Sequence, residues 1–131
     1  MKIRCVNGLL RLHFADYTAS PEHYMAGADI LCLPSYREGF GLVLIEAAAT
    51  GLATIGSRIY GITDAIVENE TGLLFTAGDV GDLTNKVEIL IEDTTFRGVL
   101  GKNGQVRVNR YFSKELVLSE LLRYYKNLLS V

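Results

Sequence analysis

The segment Glu38-Gly39-Phe40-Gly41-Leu42 has residue types suited to binding an anion. Its glycines let the backbone turn with open N–H groups and let a ligand approach closely. The helix predicted from Leu42 adds unpaired first-turn N–H groups and the positive end of its dipole, which suits phosphate. The segment is neither a Walker loop nor the three-glycine dinucleotide fingerprint, and a Gly-x-Gly turn alone is a weak signal.

Two carboxylates flank this loop, at Glu38 and Glu46. Glu46 falls about one turn into the predicted helix, and helical side chains lean toward the N-terminus, so we expect it to point back toward the loop. Two carboxylates would repel a bare phosphate, but each can accept hydrogen bonds from vicinal hydroxyls. The pattern therefore fits a ligand with hydroxyls on both sides of its phosphates, which is the layout of a nucleoside diphosphate sugar.

The alternative is that both glutamates are ordinary surface charges. Against it, the neighbours of Glu46 make the helix apolar nearly all round: Leu44, Ile45, Ala47 and Ala48. A charge in such surroundings usually has a partner or a function. Periodicity alone does not eliminate the surface alternative.

The elements that must position this loop alternate between short apolar strands and helices. Strands are predicted over 9–14, 29–33, 52–55 and 73–75, and helices from 20 onward, over 42–49, around 61–67, and in three segments capped by Asp79, by Asp93 or Thr94, and by Ser113. This order predicts an α/β fold, a Rossmann-like and mostly parallel sheet with helices on both faces. Ligands of such sheets bind outside the carboxyl ends of the strands, where loop 35–41 must lie.

Local signals refine this outline. Ser20 is expected to cap the first helix, with Pro21 at its first position, and Gly51 to end the helix over 42–49. In the turn 69–72 we expect Gly72 to supply the positive φ. The last helix carries an amphipathic stripe made of Leu118, Leu121, Leu122, Tyr125, Leu128 and Leu129.

Composition limits the classes of protein that remain. The 131 residues allow one domain, and a net charge of −2 disfavours a partner nucleic acid. Cys5 and Cys32 form neither a disulfide scaffold nor a zinc site, and Cys32 lies in an apolar run where a thiol acts as a small hydrophobe. A reduced, cytoplasmic setting fits best. His13 and His23 lie outside the glycine loop, and no metal site is expected.

The segment Ala-Asp-Ile-Leu-Cys-Leu-Pro-Ser-Tyr-Arg-Glu-Gly-Phe-Gly over 28–41 resembles the signature of the family 4 retaining glycosyltransferases, which have the GT-B fold. Glu38 and Glu46 match the Glu-x7-Glu motif of that family. Further matches follow in the family's order and spacing over nearly the whole chain: Gly61, Asp64, the Thr-Gly-Leu-Leu run over 71–74 and Phe112-Ser113.

The resemblance implies a role for each residue of the loop. Glu38 would bind hydroxyls of the donor sugar and stabilise its oxocarbenium-like charge. Backbone N–H groups of Gly39, Phe40, Gly41 and Leu42 would hold the sugar and the distal phosphate. Glu46 would bind the ribose, and Ser35 would approach the nucleoside. The family needs no metal or other cofactor and uses UDP- or GDP-linked donors. The resemblance also implies bacterial polysaccharide or glycoconjugate synthesis, with the full-length protein cytoplasmic or peripheral to the inner membrane face.

The chain departs from the family in extent. GT-B members have two Rossmann-like domains, and residues 1–131 match an incomplete C-terminal, donor-binding domain, without the N-terminal acceptor-binding domain. The Arg and Lys that neutralise the donor diphosphate in the family have no counterpart, because Arg4 and Arg11 lack their spacing. We therefore expect the chain alone to bind its donor weakly and to be inactive.

Two alternatives come from other classes. One is a non-catalytic interaction module derived from such a domain, whose last helix would pack on a partner or on a second copy. Exposed apolar surface and an open sheet edge would favour self-association. The other is a response-receiver-like domain, which needs an acidic cluster at the strand ends and a late Lys that we do not find.

Overall fold

The computed structural model describes residues 2–3 and 13–129. Two short strands, β1 (Lys2–Ile3) and β2 (His13–Phe14), pair antiparallel. The elements that follow are α1 (Glu22–Ala26), β3 (Ile30–Leu33), α2 (Leu42–Ala49), β4 (Ala53–Ser57), α3 (Ile62–Ala65), β5 (Leu73–Phe75), α4 (Val80–Glu92), α5 (Thr94–Tyr111) and α6 (Lys114–Leu129). Of the strand predicted over 9–14, residues 9–12 lie outside the described residues, as does Cys5.

Within the described residues, a parallel sheet of three strands in the order β3-β4-β5 forms the centre of the fold. All five residues of β4 are buried. Leu73 packs on one face of the sheet with the cluster that includes Leu90 and Leu100 of α4 and α5. Leu74 packs on the other face with Leu44 of α2 and Ile62 of α3. The predicted α/β class, with helices on both faces of a parallel sheet, is confirmed.

Side chains cap the last three helices as predicted. The side-chain oxygens of Asp79, Asp93 and Ser113 each accept a hydrogen bond from a backbone N–H three residues later, at 2.9, 2.7 and 3.3 Å. Each satisfies a donor that the first helical turn leaves without an intrahelical partner. Asp93, rather than Thr94, caps α5.

Gly51 ends α2 as expected, in the left-handed conformation with φ +81. Its N–H donates to the Ala48 carbonyl at 2.9 Å, and the N–H of Leu52 donates to the Ala47 carbonyl at 3.2 Å. This is a Schellman motif, which stops the helix and turns the chain into β4.

The start of α1 differs from the prediction. The helix begins at Glu22, Pro21 occupies the N-cap position, and no side chain caps it. Ser20 instead contributes its backbone carbonyl, which accepts a hydrogen bond from the His23 N–H at 3.3 Å. The predicted Ser20 cap is wrong because the backbone turn around Pro21 already supplies the hydrogen bonding.

The turn over 69–72 also differs, because its left-handed residue is Asn69, with φ 62, and not Gly72. Asparagine tolerates this conformation better than most residues with a side chain. Gly72 is required for another reason. A Cβ at this position would lie 2.6 Å from Oγ1 of Thr54, so the turn packs directly on β4.

Cys32 is a free cysteine with an exposed side chain on β3, an edge strand of the sheet as far as the described residues form it. The apolar run around it therefore does not enclose the thiol. Partial desolvation still raises the pKa of Cys32 above that of an ordinary thiol, which lowers its thiolate fraction at neutral pH.

The predicted stripe of α6 is present but faces solvent. No residue of α6 is buried, and the apolar side chains of the stripe are between 46% (Leu121) and 85% (Leu129) exposed. Among the described helices, none combines the length and apolar character that crossing a membrane would require.

Candidate functional site

Three loops adjoin at the carboxyl edge of the sheet, one after each parallel strand: 34–41, 58–61 and 76–79. The Ser57 hydroxyl at the end of β4 donates to the Leu33 carbonyl at the end of β3, at 3.4 Å. The Arg58 N–H donates to the Phe75 carbonyl at the end of β5, at 2.7 Å. These bonds fix the strand ends relative to each other, so loop 35–41 lies at the edge that the sequence predicts.

The loop enters α2 through Gly41, which is the N-cap residue in the left-handed conformation with φ +64. No side chain caps this helix, in contrast to α4 and α5. A Cβ added at Gly39 would meet no atom within 4 Å, so the space beside the loop is open. No side-chain cap therefore competes with an anionic ligand at the N-terminus of α2.

Gly61 supports this loop from the neighbouring strand. It is the N-cap residue of α3, with φ +87. A Cβ here would lie 2.6 Å from the Gly39 carbonyl oxygen and 2.8 Å from that of Glu38. The start of α3 therefore contacts the loop backbone so closely that only glycine fits.

Glu38 is half-buried and held by a side chain of the same loop. The Ser35 hydroxyl donates to Glu38 Oε1 at 2.9 Å. Glu38 also lines an open cleft of about 260 Å³. The other lining residues are Tyr36, Arg37, Ile59 and Tyr60. One carboxylate oxygen is thus fixed by Ser35, and the cleft offers room for a ligand beside the loop.

Glu46 is exposed, and it makes no hydrogen bond or ion pair with the described residues. It shares the solvent-facing side of α2 with Leu42, one turn nearer the N-terminus and 62% exposed. The apolar neighbours do not surround this charge, because Leu44, Ile45, Ala47 and Ala48 all turn toward the core. No contact among the described residues joins Glu46 to Glu38, so its role stays a prediction.

Phe40, between the two glycines of the loop, is 38% exposed. Its ring packs on that of Phe112, with 5.6 Å between the centroids and 56° between the planes. Phe112 is the C-cap residue of α5, directly before the Ser113 cap of α6. The junction between the last two helices therefore touches the candidate site.

No group of three or more His, Cys, Asp and Glu side chains in the described part of the chain is placed to hold a metal ion. The predicted independence of the site from metals stays a prediction. His23 is exposed on α1.

Sequence reasoning missed the segment after β4 as part of the cleft. Ile59 and Tyr60 line it, whereas the sequence analysis assigned neither residue to the site. The signal was available, because β4 is the next strand along the chain after β3. Consecutive parallel strands often pair, and their following loops then adjoin at one edge.

Comparisons with known proteins agree on one family. Residues 8–107 match the family model described as "Glycosyl transferases group 1". The capsular polysaccharide biosynthesis glycosyltransferase CapM of Staphylococcus aureus is 34% identical over 123 residues, which are 94% of this chain and 31% of CapM.

Solved structures share the fold. HepE of Anabaena, in complex with UDP and glucose, superposes with a TM-score of 0.84 at 25% identity over 95% of this chain and 33% of HepE. The C-terminal domain of the glycosyl transferase group 1 family protein LpcC of Francisella tularensis gives 0.70 at 26% identity, over 79% of this chain and 53% of that one. The chain thus spans about a third of the length of CapM and of HepE.

Proposed function

This chain belongs to the group 1 glycosyl transferases, and on that premise we propose that it holds the nucleotide-diphosphate sugar donor in a retaining, metal-independent glycosyl transfer. The similarity to CapM supports a place in polysaccharide or glycoconjugate synthesis. The proposed location is the cytoplasm, with the full-length protein peripheral to the inner face of the membrane.

One arrangement carries the proposal: a carboxylate fixed by a hydroxyl beside an uncapped helix N-terminus. Ser35 holds Glu38 at 2.9 Å, and Gly41 begins α2 without a side-chain cap. The helix N-terminus suits the distal phosphate of a donor. A carboxylate at the same loop suits the hydroxyls of the sugar that this phosphate carries.

Each residue of the loop then has a proposed role. Glu38 accepts hydrogen bonds from the sugar hydroxyls, and its negative charge stabilises the positive charge that develops on the sugar ring as the bond to phosphate breaks. The N–H groups of residues 39–42 hold the phosphate. Glu46, exposed and unpaired within the described residues, accepts hydrogen bonds from the ribose diol, and Ser35 lies toward the nucleoside.

The same geometry supports a proposal for the donor class. UDP- and GDP-sugars both present a ribose diol, a diphosphate and a sugar. HepE was solved with UDP and glucose, which favours a uridine nucleotide for this chain as well. The proposal includes no metal or other cofactor, because the N-terminus of α2 would itself stabilise the negative charge on the phosphate.

We also propose that the 131 residues alone are inactive and that the acceptor is bound by a further, N-terminal domain. The chain spans 31% of CapM. Arg37 is the one cationic side chain among the residues lining the described cleft. A charge-assisted contact contributes about 1.5–3 kcal/mol, so a cleft with few cations binds a diphosphate weakly. Micromolar affinity of the isolated chain for UDP, UDP-GlcNAc or GDP-mannose would contradict this.

A second candidate function is an interaction module without catalysis, favoured by the exposed apolar face of α6. In this alternative the face binds a second copy of the chain. The apolar stripe of α6 would then be required for assembly, and Glu38 would be irrelevant to what the protein does.

Replacement of Glu38 separates the two functions. In the full-length protein we expect Glu38→Ala to reduce sugar transfer about 1,000-fold, because it removes the charge facing the developing cation. The measurement is nucleotide release from UDP- and GDP-sugars. Glu88→Ala, an exposed glutamate of α4, is the control and should keep full activity.

Thermal unfolding of both variants should match that of the unchanged protein. Transfer that survives Glu38→Ala undiminished would contradict the role proposed for Glu38. An unchanged full-length protein that releases no nucleotide from either donor would instead support the interaction module. The anomeric configuration of the product, followed by NMR, tests retention separately.

A further inference from the structure

One aromatic side chain, Phe40, joins the glycine loop to the end of α5. Glycines on both sides of Phe40 contribute no side chain of their own, and the space beside Gly39 is open. The Phe40 ring instead rests on Phe112, 5.6 Å away between centroids. An edge-tilted pair of this kind adds directional attraction to the apolar area it buries. The position of Phe112 thus affects the position of the loop.

Arg107 of α5 holds Phe112 from behind. Its guanidinium carbon lies 5.2 Å from the centroid of the Phe112 ring and 5.6 Å from that of Tyr111. Cations attract aromatic faces at such distances. Arg107 makes no ion pair with any described carboxylate. Its Nε atom is buried and has no hydrogen-bond partner among the described residues, which is rare for a buried polar atom.

The same guanidinium also reaches α3. Its Nη2 donates to the Asp64 carbonyl oxygen at 2.9 Å. Asp64 belongs to the short helix whose N-cap residue, Gly61, lies against the carbonyl oxygens of Gly39 and Glu38. Arg107 therefore acts on the loop from two sides, through the Phe112 ring and through α3.

We propose that Arg107 and Phe112 are positioning residues for donor binding: together they hold Phe40 and α3 so that the Glu38 backbone and the first turn of α2 keep the geometry the donor needs. The inference rests on the proposed function of the loop. In this proposal neither residue touches the donor. Both act through the loop from positions far away in the sequence.

Two neighbours offer matched controls. Tyr111 also faces Arg107 but has no contact with Phe40 in the described residues, and it is 49% exposed. Arg110 lies over Tyr111 at 5.2 Å and touches neither Phe112 nor Asp64. A general effect of losing a ring or a charge at the end of α5 would appear in Tyr111→Leu and Arg110→Met as well.

Amide hydrogen exchange of the full-length protein tests the positioning directly. The reporter is the first hydrogen-bonded turn of α2, beginning with the Leu44 N–H that donates to the Gly41 carbonyl at 2.9 Å. We expect Phe112→Leu and Arg107→Met to speed exchange over 42–49 about fivefold, while strand β4 exchanges as before. The two control variants should leave both segments unchanged.

Binding of UDP and GDP, measured by titration of the same variants, links positioning to function. The nucleotide that binds the unchanged protein should bind Phe112→Leu and Arg107→Met about fivefold more weakly. Phe112→Tyr, which keeps the ring, should restore both exchange and affinity. A purely structural role would instead raise amide exchange in β4 and in α2 together. Phe112→Tyr would then slow exchange in both segments alike, without a selective effect on α2.

Each outcome decides the inference. Equal exchange over 42–49 in test and control variants overturns it, as does a parallel rise in β4. If Phe112→Leu does not fold, Phe40→Leu removes the same ring contact from the exposed side and must give the same faster exchange. If the unchanged protein binds neither nucleotide, the proposed function fails, while the exchange data still decide the positioning.

Discussion

At the scale of single residues, the candidate site depends on where a Cβ atom fits. Gly61 contacts the carbonyl oxygens of the loop so closely that a Cβ would lie 2.6 Å from the nearest one. A Cβ at Gly39, in the same loop, would meet nothing. The two glycines therefore serve different purposes: one allows two backbones to pack together, and the other leaves space for a ligand.

Alanine substitutions at these glycines should separate the two purposes. Gly61→Ala forces a Cβ onto the loop at a φ of +87, so we expect a loss of about 1–3 kcal/mol in the free energy of unfolding. Gly39→Ala should leave stability nearly unchanged. Urea denaturation of both variants measures the difference. Equal stabilities would mean that α3 does not press on the loop.

The exposure of Glu46 could not be predicted from the residue types along α2. Its neighbours along α2 are almost all apolar, which favours a partner or a function for the charge, yet they leave it on the surface of the helix. The exposed residues of this helix are 42, 46 and 49, which is one helical face. Leu42 is apolar, so the face does not stand out as polar in the sequence. By contrast, the place of Glu38 followed correctly from the strand that precedes it, and its hydrogen bond to Ser35 could not be deduced, since it depends on loop conformation.

At the scale of elements, the connection between β5 and α4 is fixed by an acidic side chain on the first turn of the helix. Asp82 Oδ2 accepts a hydrogen bond from the Thr76 N–H at 2.7 Å, and the Asp82 N–H donates to the Asp79 cap. The backbone hydrogen bond from Thr76 holds the pKa of Asp82 below its ordinary value. Ionised Asp82 thus ties the end of the strand to the start of the helix.

This shift has a definite sign in the pH dependence of stability. Because the pKa of Asp82 is lower in the folded state than in the unfolded state, its contribution is present above about pH 4 and is lost as pH falls through the folded value. We expect Asp82→Asn to be less stable than the unchanged protein at pH 7, with the difference shrinking below about pH 4. Chemical denaturation between pH 3 and pH 7 measures it. Glu88→Gln is the control, and a difference constant with pH would contradict the assignment.

At the scale of the whole molecule, the sequence predicted the class of fold and the edge of the sheet that carries the site. The apolar runs at 29–33 and 73–75 were enough to predict strands, because parallel strands covered by helices on both faces are apolar throughout and show no alternation with polar residues. The exposure of Cys32 was not predictable in this way, since the apolar run does not reveal that its strand lies at the edge of the described sheet. The contacts that link Arg107 and Phe112 to the loop join residues far apart in the sequence, and no local sequence pattern predicts them.

The exposed face of α6 gives a prediction for the molecule as a whole. Burial of apolar surface contributes roughly 25 cal/mol per Å², so we expect the 131-residue chain alone to self-associate through this face. Leu121→Lys combined with Leu128→Lys should make it monomeric in sedimentation velocity. The control, Ser119→Lys with Glu120→Lys, adds charge to the polar side and should leave association intact. A chain that is monomeric without substitution would contradict the prediction.

The parallel register of the sheet also bears on how the chain reaches its native state. Ile30 pairs with Ala53, and Ile55 pairs with Leu73, so each pairing closes a segment that contains a helix. Neither pairing can begin from a tight hairpin, because the strands are parallel. The chain therefore loses the entropy of closing these long segments before it gains any strand pairing. Refolding should accordingly proceed more slowly than in a helical bundle of similar length, with β4, the shared partner of both pairings, as the strand whose arrival limits the rate.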